Sequence, residues 1–324
     1  MVVKKELVKL NDQQLTLDAS QVSELYHKLT LELFDQVVDR LLERGSVSLA
    51  ENPYIWQLEK MNQMGLLNAD NVKLIAEYSG IAEKQLRQVI EGEGYEVYKT
   101  TRDQLAETLG ADDLDDNPEI QNNLASYANQ ALGDVNNLIN STLPESVRSV
   151  FQSVIEESVG KVVTGITTPE RALNDTIMKW FEKGFYGFTD SQGKRWRADS
   201  YARTIIRSTV KRAFREMRTA PAKEFGIDTF YFSKKATARE ACAPLQHQIV
   251  TYGPQREEDG ITILSMVDHG YGTPAGCLGI NCGHDITPFV VGFNELPDLG
   301  PDVKDITPSE AIANANAQAK QRAL

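Results

Sequence analysis

Six cysteine and histidine side chains in the last third of the sequence can ligate a metal: Cys242, His247, His269, Cys277, Cys282 and His284. Thiolate and imidazole are the donors zinc prefers, usually four in a tetrahedron. Two cysteines and a histidine fall within the eight residues CLGINCGH, Cys277 to His284, of a chain that has three cysteines in all. Cys282 and His284 are one residue apart, so in an extended segment both side chains point to the same side. Gly279 permits a tight turn between Cys277 and Cys282. Cys242 would supply a distant ligand, and His247 or His269 would complete the set. A closed set of four donors would fasten a small domain. An open coordination position beside a carboxylate, Asp268 or Asp285, would instead make a metal-dependent hydrolase or nuclease built on Asp268, His269 and His284. The spacing is not the paired C-x-x-C of a zinc ribbon, and neither H-E-x-x-H nor H-x-E with P-C-x-x-C is present. Cys277, between Gly276 and Leu278, reads equally well as a small buried hydrophobe.

A second cluster is cationic. Between Lys194 and Arg218 there are nine Lys or Arg residues against Asp199 and Glu216, in a chain whose formal net charge is -12. Arg203, Arg207, Lys211 and Arg215 recur every four residues and share a helix face. Ile206, Val210, Ala213, Phe214 and Met217 form the apolar stripe beside it. Such a face suits nucleic-acid phosphates or an acidic protein surface, and equally suits pairing with the chain's own carboxylates. A DNA-binding protein would use Arg203, Arg207 and Lys211.

These groups need a scaffold. The length of 324 residues allows two or three domains. No apolar run is long enough to span a membrane, and the N-terminus lacks the apolar core of a signal peptide, so a cytoplasmic origin is expected. Three cysteines in a reducing compartment do not suggest a disulfide framework. Val22, Leu25, Leu29, Leu33, Val37 and Leu41 predict a helix between Asp18 and Gly45, with His27 inside it as a surface or boundary histidine. Residues 54 to 110 predict several shorter helices broken near Gly65, Gly80 and Gly94. An acidic hinge is expected near residue 115. Two helices are expected over 118–143 and 144–164, the second opening at Pro144. Thr168 and Pro169 start another, with Leu173, Ile177, Trp180 and Phe181 on its buried face. A hairpin follows, then the basic helix. DTFYFS, HQIVTYG, ITILSM and DITPFVVGF read as strands. The expected fold is α+β: a mainly helical N-terminal two thirds, a small α+β domain, and a helical or frayed tail with a capping box from Thr307 to Glu310. The expected segments are a helical region 1–115, a helical region with hairpin and basic helix 116–224, the Cys/His domain 225–298 and an arm 299–324.

Three stretches carry a resemblance: DSQGKRWRADSYARTIIRSTVKRAFRE, SKKATAREACAPLQHQIVTYG and DHGYGTPAGCLGINCGHDITPFVVG. Over about residues 165 to 295 the sequence resembles the phage minor capsid protein 2 family of tailed phages, related to the Mu-F-like head morphogenesis proteins. The resemblance implies a virion protein without enzymatic activity. It would assemble in the host cytoplasm, sit inside the capsid near the portal and lie close to packaged DNA. Its partners would be the portal protein, other head proteins and viral DNA. The matching positions are Arg239, Cys242, Gln246, Asn281, Cys282 and His284. His247 stands where the family usually has glycine, and Gly283 where it usually has arginine. Cys277 occupies a place that is often apolar. The ligands expected for a structural zinc are therefore Cys242, Cys282 and His284, with His269 as the fourth and Cys277 in reserve.

Overall fold

The computed structural model describes residues 12–43, 49–111, 117–189, 193, 195–280 and 282–323. The helix stop at Gly45, the acidic hinge near residue 115, the tip of the hairpin and Asn281 lie outside the described residues. The chain divides into two compact units, each assembled from separated stretches. One is built from residues 16–89 and 126–207, the other mainly from 90–125 and 208–324.

The first unit is helical. Helix α1 (Asp12–Leu42) begins upstream of Asp18. It buries Val22, Leu29, Leu33, Val37 and Leu41, the row its periodicity marks. Helix α2 (Pro53–Arg87) starts under an Asn52 cap whose side chain accepts the Ile55 N–H. Gly65 and Gly80 lie inside α2, not at breaks. A glycine in a helix interior costs only ~1 kcal/mol, which packing readily offsets. Lys60, 2% exposed, turns its ammonium onto the carbonyls of Arg40 and Glu43 and so satisfies the last turn of α1. Helix α4 (Glu119–Val163) is continuous through Pro144, correcting the expected pair of helices. Losing one backbone N–H is tolerated there because Val147, Phe151, Val154 and Ile155 just beyond are buried. Helix α5 (Pro169–Lys183) is capped by Thr168, whose hydroxyl accepts the Arg171 N–H at 3.4 Å. Leu173 and Ile177 are buried, whereas Phe181 is 44% exposed and meets Phe34 edge-on at 5.0 Å between ring centres. The hairpin pairs β1 (Tyr186–Thr189) with β2 (Arg195–Arg197).

The second unit carries the candidate site. A short π-helical segment, Gln88–Glu93, leads into α3 (Gly94–Leu109). Gly94 is there for close approach, since a Cβ would lie 2.6 Å from Leu124 Cδ2. Helix α6 (Ala198–Glu224) buries Val210, Ala213, Phe214 and Met217 in this unit, and Ile206 in the other. A five-stranded sheet follows in the order β5-β6-β4-β3-β7. Its strands are β3 (Thr229–Phe232), β4 (Ile249–Thr251), β5 (Arg256–Glu258), β6 (Ile261–Ser265) and β7 (Ile286–Pro288). The β4–β6 pair is parallel and the others antiparallel. Four strands are those the sequence marks. The edge strand β5, Arg-Glu-Glu, carries no apolar alternation to betray it. Along β3, Phe230 and Phe232 face one cluster with Val250, Met266 and Ile286, while Tyr231 faces another with Ile249, Ile263 and Phe289. After the short α7 (Pro301–Lys304), the tail forms α8 (Pro308–Ala323). Its capping box is formed: Glu310 accepts the Thr307 N–H at 2.8 Å, and Thr307 accepts the Glu310 N–H at 3.3 Å. Ala311 is fully buried, its carbonyl accepts the Ala238 N–H at 3.0 Å, and Asn314 donates to the Ala236 carbonyl at 2.9 Å. The tail therefore docks beside the segment that carries Cys242.

Candidate metal centre

Cys242, Cys282 and His284 come together in the second unit. Cys242 starts a 3-10 turn, Ala243–Leu245, that leads back into β4. Cys282 and His284 lie on the extended run that enters β7, where alternation turns both side chains inward. All three are buried, and their donor atoms lie within 4.8 Å of one another. Cys242 Sγ is 3.6 Å from Cys282 Sγ, and Cys282 Sγ is 3.5 Å from His284 Nδ1. The bond with Cys242 holds the Cys282 thiol far below the usual range, and His284 adds to this against the opposing effect of burial. Cys242 is pushed up by the same bond and by burial. Among the described residues this is the one buried cluster of metal-ligating side chains.

A surrounding shell fixes the three donors. His284 Nε2 is 3.1 Å from Gln246 Oε1, and the same oxygen accepts the Lys235 N–H at 2.6 Å. The Phe232 ring packs on the imidazole at 5.2 Å between ring centres. Arg239 donates to the Gly276 carbonyl at 2.9 Å and the Pro274 carbonyl at 3.5 Å. Arg215 donates to the carbonyls of Leu278 at 2.8 Å and His284 at 3.3 Å. The loop between is tight. Leu278 has a left-handed φ of 57°. A Cβ on Gly276 would overlap the Gly270 carbonyl, and one on Gly279 would lie 2.5 Å from the Pro274 carbonyl oxygen. So Gly279 is required by close approach of the backbone, while the left-handed residue of the turn is Leu278.

The remaining sequence candidates are placed elsewhere. Cys277 is fully buried, its Sγ lies 3.4 Å from the Met266 carbonyl, and burial pushes its thiol up to about 11. That is the environment of a small hydrophobe. His269 is half-buried and outside the three-donor group, as is the exposed Asp268. His247 has a left-handed φ of 58°, which explains why glycine suits the position, and its Nδ1 is 3.1 Å from the Tyr231 hydroxyl. Along α6, Arg203 and Arg207 are exposed and belong to the first unit, while the half-buried Lys211 and Arg215 belong to the second. Burial lowers the Lys211 ammonium pKa, with Asp285 and Cys282 acting to raise it, which puts Lys211 beside the cluster. Sequence reading assigned Arg215 to a binding face and missed its hold on the loop. Only contact across 63 residues reveals it.

No helix among the described residues is long and apolar enough to cross a membrane. The chain is similar to structural proteins of phages. It is 30% identical to a structural protein of Lactococcus phage LL-H over 313 residues, covering 93% of this chain and 82% of that protein. It is 43% identical over 58 residues to a structural protein of Lactococcus phage mv4, covering 18% of this chain and 43% of that protein. No solved structure matches it. The phage minor capsid protein 2 family matches residues 10–324, nearly the whole chain, and the chain belongs to that family: it is a minor structural component of a phage virion.

Proposed function

We propose that the protein is a non-enzymatic head component that docks on the portal, lies close to packaged DNA, and acts in head morphogenesis and in DNA packaging or ejection. Family membership supports the virion role. An exposed apolar stripe on α2 carries the docking reading. Tyr54, Leu58, Met61 and Val72 are 62%, 67%, 40% and 51% exposed and share one face of the helix, with Ile55 at its edge, 54% exposed. A row of large apolar side chains facing water marks a surface made for a helix-in-groove or helix-on-helix contact. The test is co-purification with the assembled portal oligomer of the same phage. Wild type is expected to bind, and Leu58→Glu with Met61→Glu is expected to abolish binding without unfolding the chain. A folded wild type that ignores the portal would overturn the reading.

The exposed Arg203 and Arg207 support proximity to DNA. Replacing both with glutamine is expected to weaken DNA affinity and flatten its dependence on salt. Affinity unchanged by that replacement would remove DNA from the proposal and leave the portal part standing.

A further inference from the structure

The hydrogen bonds around His284 settle which ring nitrogen is free. The Lys235 N–H can only donate, so the Gln246 atom it meets at 2.6 Å is the amide oxygen. The same oxygen faces His284 Nε2 at 3.1 Å, so Nε2 must carry the proton. In the neutral imidazole that leaves a lone pair on Nδ1, 3.5 Å from Cys282 Sγ. The spacing of the donors is equally specific. A tetrahedral zinc with Zn–S of about 2.3 Å and Zn–N of about 2.05 Å separates two sulfurs by about 3.8 Å, and sulfur from nitrogen by about 3.6 Å. The two edges given by the protein are 3.6 and 3.5 Å.

We propose that Cys242 Sγ, Cys282 Sγ and His284 Nδ1 bind one zinc ion, and that Gln246 is the positioning residue that holds the His284 tautomer. His269 and Cys277 take no part. Bound there, the ion joins the turn at Cys242 to the run entering β7, two segments 40 residues apart. Solvent takes the fourth coordination position, and the two thiolates make the role a fastening of the second unit, independent of whether the portal is its partner. The competing chemistry is a disulfide, which would require the two sulfurs to close to about 2.05 Å.

The experiment is metal analysis of the full chain, purified from zinc-supplemented cells, with competition against a chromophoric zinc chelator at neutral pH. Wild type is expected to hold about one zinc per chain. Cys282→Ser and His284→Ala are expected to lose it, while His269→Ala and Cys277→Val keep it. Gln246→Leu is expected to weaken zinc affinity by about 10–100-fold, and Gln246→Glu, which still accepts from Nε2, to restore most of it. Wild type alone gives a second readout should the variants fail to fold. Cobalt exchanged into the site is expected to show thiolate charge-transfer bands and the strong visible absorption of four-coordinate geometry. Wild type that takes up neither ion, or that contains a Cys242–Cys282 disulfide, overturns the proposal. So does full zinc content in both Cys282→Ser and His284→Ala. Unchanged affinity in Gln246→Leu removes Gln246 from it.

Discussion

Gly276→Ala is expected to pull apart the loop that leads into the Cys/His cluster. The added Cβ would overlap the Gly270 carbonyl and lie 2.8 Å from Thr273 Oγ1, so neither neighbour has room to yield. Four hydrogen bonds depend on that close approach. Thr273 Oγ1 donates to the Gly270 carbonyl at 2.8 Å and accepts the Gly276 N–H at 3.1 Å. The Cys277 N–H reaches the His269 carbonyl at 3.0 Å, and Arg239 reaches the Gly276 carbonyl at 2.9 Å. At about 0.5–1.5 kcal/mol net for each bond, losing most of them costs about 2–4 kcal/mol, and overpacking strain adds to it. The assay is urea unfolding of the full chain, with hydrogen exchange at the amides of β3, β4 and β6 to place the loss in the second unit. Gly283→Ala is the control, because its Cβ would meet only Lys235 Cδ at 3.7 Å. A loss below about 1 kcal/mol for Gly276→Ala, or equal losses for the two variants, would refute the argument from close approach.

Arg215→Ala is expected to destabilise the second unit by about 2–3 kcal/mol, because it strips charged donors from the carbonyls of Leu278 and His284. Denaturation midpoints of the variant and wild type check it. Lys60→Met is expected to cost about 3 kcal/mol in the first unit, since the carbonyls of Arg40 and Glu43 lose their shared donor. Hydrogen exchange in the last turn of α1 should rise with it. Asp199 gives a pH signature. Burial works against its charge, but Arg197 and the hydrogen bond with His27 hold its pKa below the ordinary 3.8. Because the folded value is depressed, the stability it contributes is complete above 3.8 and is lost as pH falls through the folded value. The gap in stability between wild type and Asp199→Asn should therefore stay constant from neutral pH down to about 4 and close below that. A gap that closes at higher pH would contradict the assignment.

Local rules carried much of the fold. The four-step row in α1, the Thr168 cap, the Thr307 capping box and the strand pattern around Phe230 and Phe232 each follow from neighbouring residues alone. The failures share one cause. Gly65, Gly80 and Pro144 are poor helix residues by propensity, yet they sit inside long helices because burial of the flanking apolar side chains outweighs a local cost of a few kcal/mol. At the site, the extended spacing of Cys282 and His284 was legible, and so was the buried character of Cys277. Residue type already offered Cys242 as a distant ligand, but the choice of it rested on resemblance, because nothing local links it to a partner 40 residues away. Arg215 was readable only as a member of a basic row. Its position in that row gives no hint that it turns toward carbonyls of a distant loop.

The interleaving of the two units has a consequence for synthesis. Residues 16–89 leave the ribosome long before 126–207 can join them, and 90–125 must wait for everything beyond 208. A chain made from its N-terminus thus carries each half-built unit as a loose helical assembly while its complement is still being translated. Within the second unit, the last described pieces to arrive are β7, with Cys282 and His284 just before it, and then α8 against Ala238. Native contacts of high sequence separation are the slow ones to form. Completion of the second unit therefore waits for β7 and α8, and a copy terminated before α8 would lack the contacts that close it.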